Sequence, residues 1–276
     1  LEEQLADLPS FTEVDRYLLS NNDIPAEALA KLDTGKAPRS SYLSSDASKI
    51  QVFVLFGLDG VDSSDSVMLV ALDRVHQKIK LISLARDSYV FIPEFASFSK
   101  LAYSYTWGGA AMAVKNLNYN YYLNVSDYIA VDFDQLAEII DRIGGVTVNI
   151  DEDEARYLSN YPNVRVGDCL LDGKTAVSYA RIRKSSATDS DRKRTGRQRE
   201  VILSILNTLQ TMPLSQYPGF VRDCLGMCAT SFEAETLLTM AAETLGQNYT
   251  VEQYFFPEGQ VDWWAGLIKE YFYYVY

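Results

Sequence analysis

Eight basic residues fall between positions 181 and 199: Arg181, Arg183, Lys184, Arg192, Lys193, Arg194, Arg197 and Arg199. Only Asp189 and Asp191 oppose them. The window therefore carries +6 in a chain of net charge −12, leaving −18 on the rest. A chain that acidic repels a long nucleic-acid backbone over most of its surface, so no nucleic-acid partner is expected. A local basic pocket suits a compact anion instead, such as a phosphate or diphosphate. The planar fork of arginine donors fits phosphate oxygens two at a time. Arg181 and Arg183 differ by two and share one face in an extended segment. Arg194 and Gln198 continue, at spacings of three and four, the apolar stripe of Ile202, Ile205 and Leu209. Both should point from the helix face that meets the core, as expected at a ligand cleft or a buried salt bridge.

The second concentration is Asp59, Asp62 and Asp65, at the end of the apolar run Gln51–Leu58. In open α/β sheets ligands gather at the carboxyl ends of strands. Carboxylates there can hold Mg²⁺, which takes one or two of them together with phosphate oxygens and water. Arg86, in Ser83-Leu-Ala-Arg-Asp87, closes another apolar run and completes a metal-plus-arginine set. Other chemistries are poorly supplied. The single histidine, His76, lies in the polar turn Asp73-Arg-Val-His-Gln-Lys78, where it reads as exposed. The three cysteines (Cys169, Cys224, Cys228) lack the partners for a usual zinc site and are too few for a disulfide framework. Pairing of Cys224 with Cys228, pairing of one of them with Cys169, and three buried free thiols all remain open.

These residues need a scaffold. A chain of 276 residues with 47% hydrophobic and 22% charged residues can bury a core. Apolar runs at 51–58, 66–72, 79–85, 128–133 and 146–150 suggest strands covered on both faces. Helices are expected over Ala110–Leu117, over Leu136–Ile143 (capped by Asp134 and closed by Gly144-Gly145), around Val201–Leu209 and over Phe232–Leu245. Alternating strands and helices imply an α/β fold, a three-layer α/β/α sandwich. The short turn at 74–78 demands antiparallel pairing, hence a mixed central sheet. Leu5, Leu8, Phe11, Val14, Leu18 and Leu19 mark residues 1–48 as an N-terminal helical extension. The main domain is expected over 49–260. The aromatic tail 261–276 should pack on that domain. No apolar run approaches the ~18 residues of a membrane span. The chain opens on Leu1, and any membrane anchor is expected to lie outside it.

Several segments match one family in order. Val54-Leu-Phe-Gly-Leu-Asp59 with Ser64-Asp65-Ser-Val-Met-Leu69 resembles its opening strand, G-x-D and R-S-D-T/S. Ser83-Leu-Ala-Arg-Asp87 resembles S-I-P-R-D, and Lys100-Leu-Ala-Tyr-Ser-Tyr-Thr-Trp-Gly-Gly109 resembles K-I-N-x-A-Y-x-x-G-G. Asp141-Arg-Ile-Gly-Gly-Val-Thr-Val148 resembles D-x-L-G-G-V-x-V. Leu171-Asp-Gly-Lys-Thr-Ala-Val-Ser-Tyr-Ala-Arg-Ile-Arg183 resembles L-x-G-x-x-A-L-x-Y-x-R-x-R. Asp191 through Gln198 resembles G-D-F-x-R-x-x-R-Q. The sequence thus resembles the LytR–CpsA–Psr family of cell-envelope proteins over roughly residues 50–256.

The resemblance implies an α/β/α sandwich beside a long apolar pocket for a polyprenyl chain. It also implies a Mg²⁺-assisted phosphotransferase that moves a glycopolymer from a polyprenyl-diphosphate carrier to peptidoglycan. The domain would stand outside a bacterial, Gram-positive cell on a membrane anchor. Carried over by motif, Asp59 and Asp65 take the Mg²⁺-associated acidic positions and, with Arg86, the catalytic ones. Arg181, Arg183, Arg194, Gln198 and Lys100 take the diphosphate-binding ones. The chain departs from the pattern at Ser63, where Arg is expected, and in its short 59–65 loop. It departs also at Ala85 for Pro, Ala102 for Asn, and Asp191-Arg-Lys-Arg194 for D-F-G-R. The Ser63 change favours one alternative, a non-catalytic binder of lipid-linked precursors; a diphosphate hydrolase, with water as acceptor, is another. A DNA-binding regulator fits the charge pattern poorly.

Overall fold

The computed structural model describes residues 49–60, 64–121, 123–183, 190–245, 249–257, 264–268 and 271–275. The expected extension at 1–48, with Asp62, Ser63 and Lys184, lies outside the described residues.

The apolar runs form strands because β-branched and aromatic residues recur on both faces. Four of them are β1 (Ile50–Leu58), β2 (Ser64–Asp73), β3 (Lys78–Leu84) and β6 (Asp127–Asp132), and β9 (Ala229–Thr230) and β10 (Thr250–Phe256), not expected from sequence, join them. They build one sheet in the order β10-β3-β2-β1-β6-β9. β1 pairs parallel with β6, and β10 parallel with β3, while β2 runs antiparallel between β1 and β3. The sheet is mixed, as the turn at 74–77 requires. His76 sits in that turn with 65% of its side chain exposed, Nδ1 2.8 Å from Asp73 Oδ2. Three further hairpins join β4 (Tyr89–Ile92) to β5 (Ser97–Lys100), β7 (Val146–Ile150) to β8 (Gly167–Leu171), and β11 (Trp264–Ile268) to β12 (Tyr271–Val275). The last hairpin is formed by the aromatic tail.

Alternate residues of β1 serve different layers. Val54 and Phe56 join Met112, Val114 and Leu117 of α1 (Tyr103–Tyr121) on one face. This helix begins earlier than the expected 110 and is kinked at Gly108–Gly109. Gly109 takes φ +61°, a conformation glycine adopts without penalty. On the other face, Phe53, Val70, Leu72 and Leu81 meet α5 (Ser190–Thr211) and α7 (Ala234–Leu245). A third cluster packs the β7–β8 hairpin on α2 (Phe133–Arg142), α4 (Gly173–Ala180) and α5.

Two local expectations need correction. The cap of α2 is Asp132 rather than Asp134. Its carboxylate accepts from Gln135 N while the Gln135 side chain accepts from Asp132 N, a capping box that a reading of Asp134 alone misses. Arg181 ends α4 as its C-cap rather than lying in an extended segment. Arg181 and Arg183 are nevertheless both exposed around the buried Ile182.

α4 crosses α2 at Gly173, where an added Cβ would overlap the Ala137 backbone. Gly173 N also donates to Asp141 Oδ1 at 2.7 Å. Gly173→Ala is expected to lower stability by about 1–3 kcal/mol, read as a reduced urea midpoint at unchanged slope.

Candidate functional site

The parallel strands deliver their carboxyl ends to one edge of the sheet, where β2 begins. Leu58 pairs with Ser64 and Gly57 with Ser66, so Asp65 is the extra residue of a β-bulge. A bulge breaks the alternation and re-aims one side chain. Asp59 follows directly after β1 at the same edge and is half-buried. Arg86, two residues past β3, donates to Asp65 Oδ1 through Nη1. Arg183 Nη2 lies 3.7 Å from the same oxygen. Asp87 Oδ1 accepts from Lys100 Nζ at 2.6 Å, and its Oδ2 stands 3.6 Å from Arg86 Nε. Two carboxylates thus face three cations, and the side chains of Asp65, Arg86, Asp87 and Lys100 are each under 20% exposed. With Asp59 three carboxylates balance three cations, and Arg181 and Arg194 make the surplus positive, which suits an anion.

The remaining predicted residues arrive on helices. Arg181 stacks on Phe133, the first residue of α2, with its guanidinium carbon 4.4 Å from the ring centroid. On α5, Arg194 is 2% exposed and Gln198 half-buried, so the stripe read from sequence does turn inward. The buried Gln198 Oε1 has no hydrogen-bond partner among the described residues. Arg199 Nη1 donates to Ser83 Oγ at 2.8 Å, and Arg192 lies 5.8 Å from the Phe255 ring centroid. These contacts lay the first half of α5 across the ends of β3 and β10.

The structure brings Asp65, Arg86 and Arg183 together directly, and Lys100 through Asp87. Asp59 follows β1 at the same edge, Arg181 lies on Phe133 just past the end of β6, and Arg194 and Gln198 stand on the half of α5 that crosses the ends of β3 and β10. Sequence reasoning missed Asp87, which had a signal in its place beside Arg86. It also missed the buried pair of Glu154, in α3 (Glu152–Tyr157), with Arg197, 43 positions apart and invisible to spacing. Tyr179, against this pair, donates to Glu200. Burial first, and then the bond to that carboxylate, pushes its phenol well above the usual range.

Past Gln198, α5 runs onto an apolar cavity of about 310 Å³. Its walls are Phe53, Leu55 and Val131 of the sheet, Leu136 and Ile139 of α2, Ile202, Leu206 and Leu209 of α5, Phe220 and Cys224 of α6 (Tyr217–Leu225), and Met240 and Ala241 of α7. Helices α2, α5, α6 and α7 thus form the wall opposite the sheet. All three cysteines are free thiols. Cys169 packs in the hairpin cluster, whereas Cys224 and Cys228 line the cavity. Burial, with a smaller contribution from the Cys228 thiol, pushes Cys224 up to about 12, so it serves as apolar wall rather than nucleophile.

No cluster of three or more metal-ligating side chains occurs among the described residues. The set at this edge, Asp59 and Asp65, matches the one or two carboxylates that Mg²⁺ takes when phosphate oxygens and water fill its shell. It does not match an all-protein cage.

A mixed-sheet α/β/α sandwich with arginines and carboxylates at the strand ends, and a cavity leading away along one helix, describes a class of protein built for an anion carrying an apolar chain. Comparison with known proteins identifies the family. The LytR_cpsA_psr family model matches residues 22–275, and the chain belongs to that family. It is 29% identical over 230 residues to the polyisoprenyl-teichoic acid–peptidoglycan teichoic acid transferase TagU of Oceanobacillus iheyensis, covering 79% of this chain and 69% of that protein. It is 30% identical over 184 residues to the regulatory protein MsrR of Staphylococcus aureus, covering 63% and 54%. The chain thus spans only about half the length of some curated relatives. A structure of the family protein YwtF (TagT) with bound octaprenyl pyrophosphate lipid superposes with a TM-score of 0.65 at 17% identity, covering 87% of this chain and 86% of that one. None of the described helices is long and apolar enough to cross a membrane.

Proposed function

We propose that this chain is a cell-wall glycopolymer phosphotransferase. It would move a glycan from a polyprenyl-diphosphate carrier to a peptidoglycan hydroxyl, on the outer face of a Gram-positive cell, with Mg²⁺ as cofactor and a membrane anchor outside this chain. The observation that carries the reading is the continuity of one helix. The half of α5 that carries Arg194 and Gln198 lies across the ends of β3 and β10, and Ile202, Leu206 and Leu209 line the apolar cavity. A diphosphate on a prenyl tail needs both, in that order. The transferase activity for which TagU is named and the octaprenyl pyrophosphate bound in YwtF (TagT) support it.

The chemistry follows from the charges. Arg86, Arg181, Arg183 and Arg194 neutralise the diphosphate and hold it in line, which phosphoryl transfer needs more than covalent help. The acceptor oxygen forms a bond to the glycan-bearing phosphorus while the bridging P–O bond breaks. The lipid phosphate leaves, and the hydroxyl proton passes to Asp59 or Asp65. Mg²⁺, held by those carboxylates and by phosphate oxygens, would supply further charge neutralisation. The cavity walls keep the tail dry. Lys100, bound to Asp87, orients the edge from outside.

The test is cleavage of the phosphoanhydride bond of a short-chain prenyl diphosphate, with and without Mg²⁺, in wild type and Arg181→Ala. Mg²⁺-dependent cleavage is expected, with affinity falling tenfold or more in the variant, in line with about 1.5–3 kcal/mol for a charged hydrogen bond. Binding without turnover, even with a sugar acceptor, supports the carrier reading that Ser63 favours. Turnover that ignores a peptidoglycan acceptor supports hydrolysis. No binding in either protein sinks the diphosphate site.

A further inference from the structure

Arg197 belongs to the same basic run as Arg194 and Gln198, yet it does not face the open edge. It is 4% exposed. Its Nε donates to Glu154 Oε1 at 2.6 Å, and its Nη1 donates to the carbonyl oxygen of Ile182 at 3.2 Å. Glu154 is 6% exposed, and its second oxygen accepts from Asp151 N at 2.9 Å, closing the capping box of α3. One carboxylate therefore caps a helix and anchors a guanidinium at once.

The carbonyl that Arg197 holds lies between the two exposed arginines. Carbonyls just past a helix end have lost their intrahelical donors and must find others. Below this carbonyl the Ile182 side chain is fully buried. On either side, Arg181 lies over Phe133 and Arg183 approaches Asp65. Any shift of this peptide moves both guanidiniums. A lysine in place of Arg197 retains the charge but lacks the planar fork that reaches Glu154 and Ile182 together.

We propose that Arg197 is a positioning residue: with Glu154 as counter-ion it clamps the Ile182 carbonyl and so aims Arg181 and Arg183, without touching the phosphate. The proposal rests on the diphosphate reading of that edge for its function, but the clamp itself can be tested without it.

Two readouts decide the matter. The first is inorganic diphosphate binding by calorimetry for Arg197→Lys and Glu154→Gln, each made in wild type and in an Arg181→Ala/Arg183→Ala background. Glu154→Gln keeps an oxygen for the Asp151 amide, so α3 stays capped and the fold is preserved if the lysine variant proves unstable. Each substitution should weaken binding about tenfold in wild type and less than twofold in the double-alanine background, because residues that act through one another are not additive. Equal losses in both backgrounds would mean that Arg197 touches the anion itself and would overturn the proposal. The second readout is amide exchange at residues 182 and 183 without ligand. It should accelerate tenfold or more in both variants while exchange in β1 and β2 stays unchanged. Unchanged exchange at 182–183 also overturns the clamp. If wild type binds no diphosphate, the functional reading of the edge falls, and the exchange data alone support or overturn the clamp.

Discussion

Asp65→Asn is expected to cut glycan transfer by roughly a hundred- to ten-thousand-fold, the range for removal of a group that handles the proton or its charge in the transition state. The sign of its effect on binding is the sharper result. The carboxylate accepts from Arg86 and lies near Arg183. An anion entering the edge competes with Asp65 for both guanidiniums. Removing the negative charge while keeping the shape lifts that competition. Prenyl diphosphate should therefore bind Asp65→Asn at least as tightly as wild type when Mg²⁺ is absent. With Mg²⁺ present the order should reverse, because the variant loses a ligand while wild type gains a cation that relieves the carboxylate. By linkage, the diphosphate should raise the Mg²⁺ affinity of wild type by the factor that Mg²⁺ raises the affinity for diphosphate, and in the variant that factor should shrink towards one. Calorimetry in both orders of addition, with phosphate release measured alongside, reads all of this. Retained turnover would remove Asp65 from the chemistry. A tenfold loss of diphosphate affinity without Mg²⁺ would mean that Asp65 serves only to hold the arginines in place.

Asp65 also shows what a sequence exposes and what it hides. Its nearness to Asp59 was legible because an acidic turn after an apolar run belongs at a strand end. Its pairing with Arg86 and Arg183 was not, because a bulge sets its direction and spacing says nothing of a bulge. The half-exposed β10 was not legible as a strand, but β1, β2, β3 and β6 were, because covered strands are continuous apolar runs. Their order was not, since β10 reaches β3 across most of the chain. Arg194 and Gln198 could be placed inward from helical period alone, and the burial of Arg194 follows that period. Glu154 carried no sign of its partner. It reads as one more acid in an acidic stretch, and only folding brings α3 under the turn after α4.

The cavity was the least legible feature, because Leu206 or Ile139 in a cavity wall has the same sequence signature as in a packed core. A volume substitution separates the two. Ala241→Trp, on the α7 side of the cavity, is expected to leave the melting temperature unchanged or raise it. Extra atoms that enter empty apolar space restore dispersion contacts, whereas the same insertion into a close-packed core costs about 1–3 kcal/mol. The ligand should respond in the opposite direction. In wild type, affinity for prenyl diphosphates should rise with chain length by roughly tenfold per added isoprene unit, about 1.4 kcal/mol, until the cavity is full. Spread over the five carbons of an isoprene unit, that increment is about 0.3 kcal/mol per carbon, well below the ~0.8 kcal/mol per buried methylene allowed by transfer data, leaving room for the entropy lost by an ordered chain. In Ala241→Trp the curve should flatten at short chains, while inorganic diphosphate, which has no tail, binds as in wild type. The discriminating comparison is thus between two ligands in one variant. A parallel loss for inorganic diphosphate would mean that the substitution disturbs the arginine edge through α5. A lower melting temperature with an unchanged chain-length curve would make the cavity ordinary core and place the tail elsewhere.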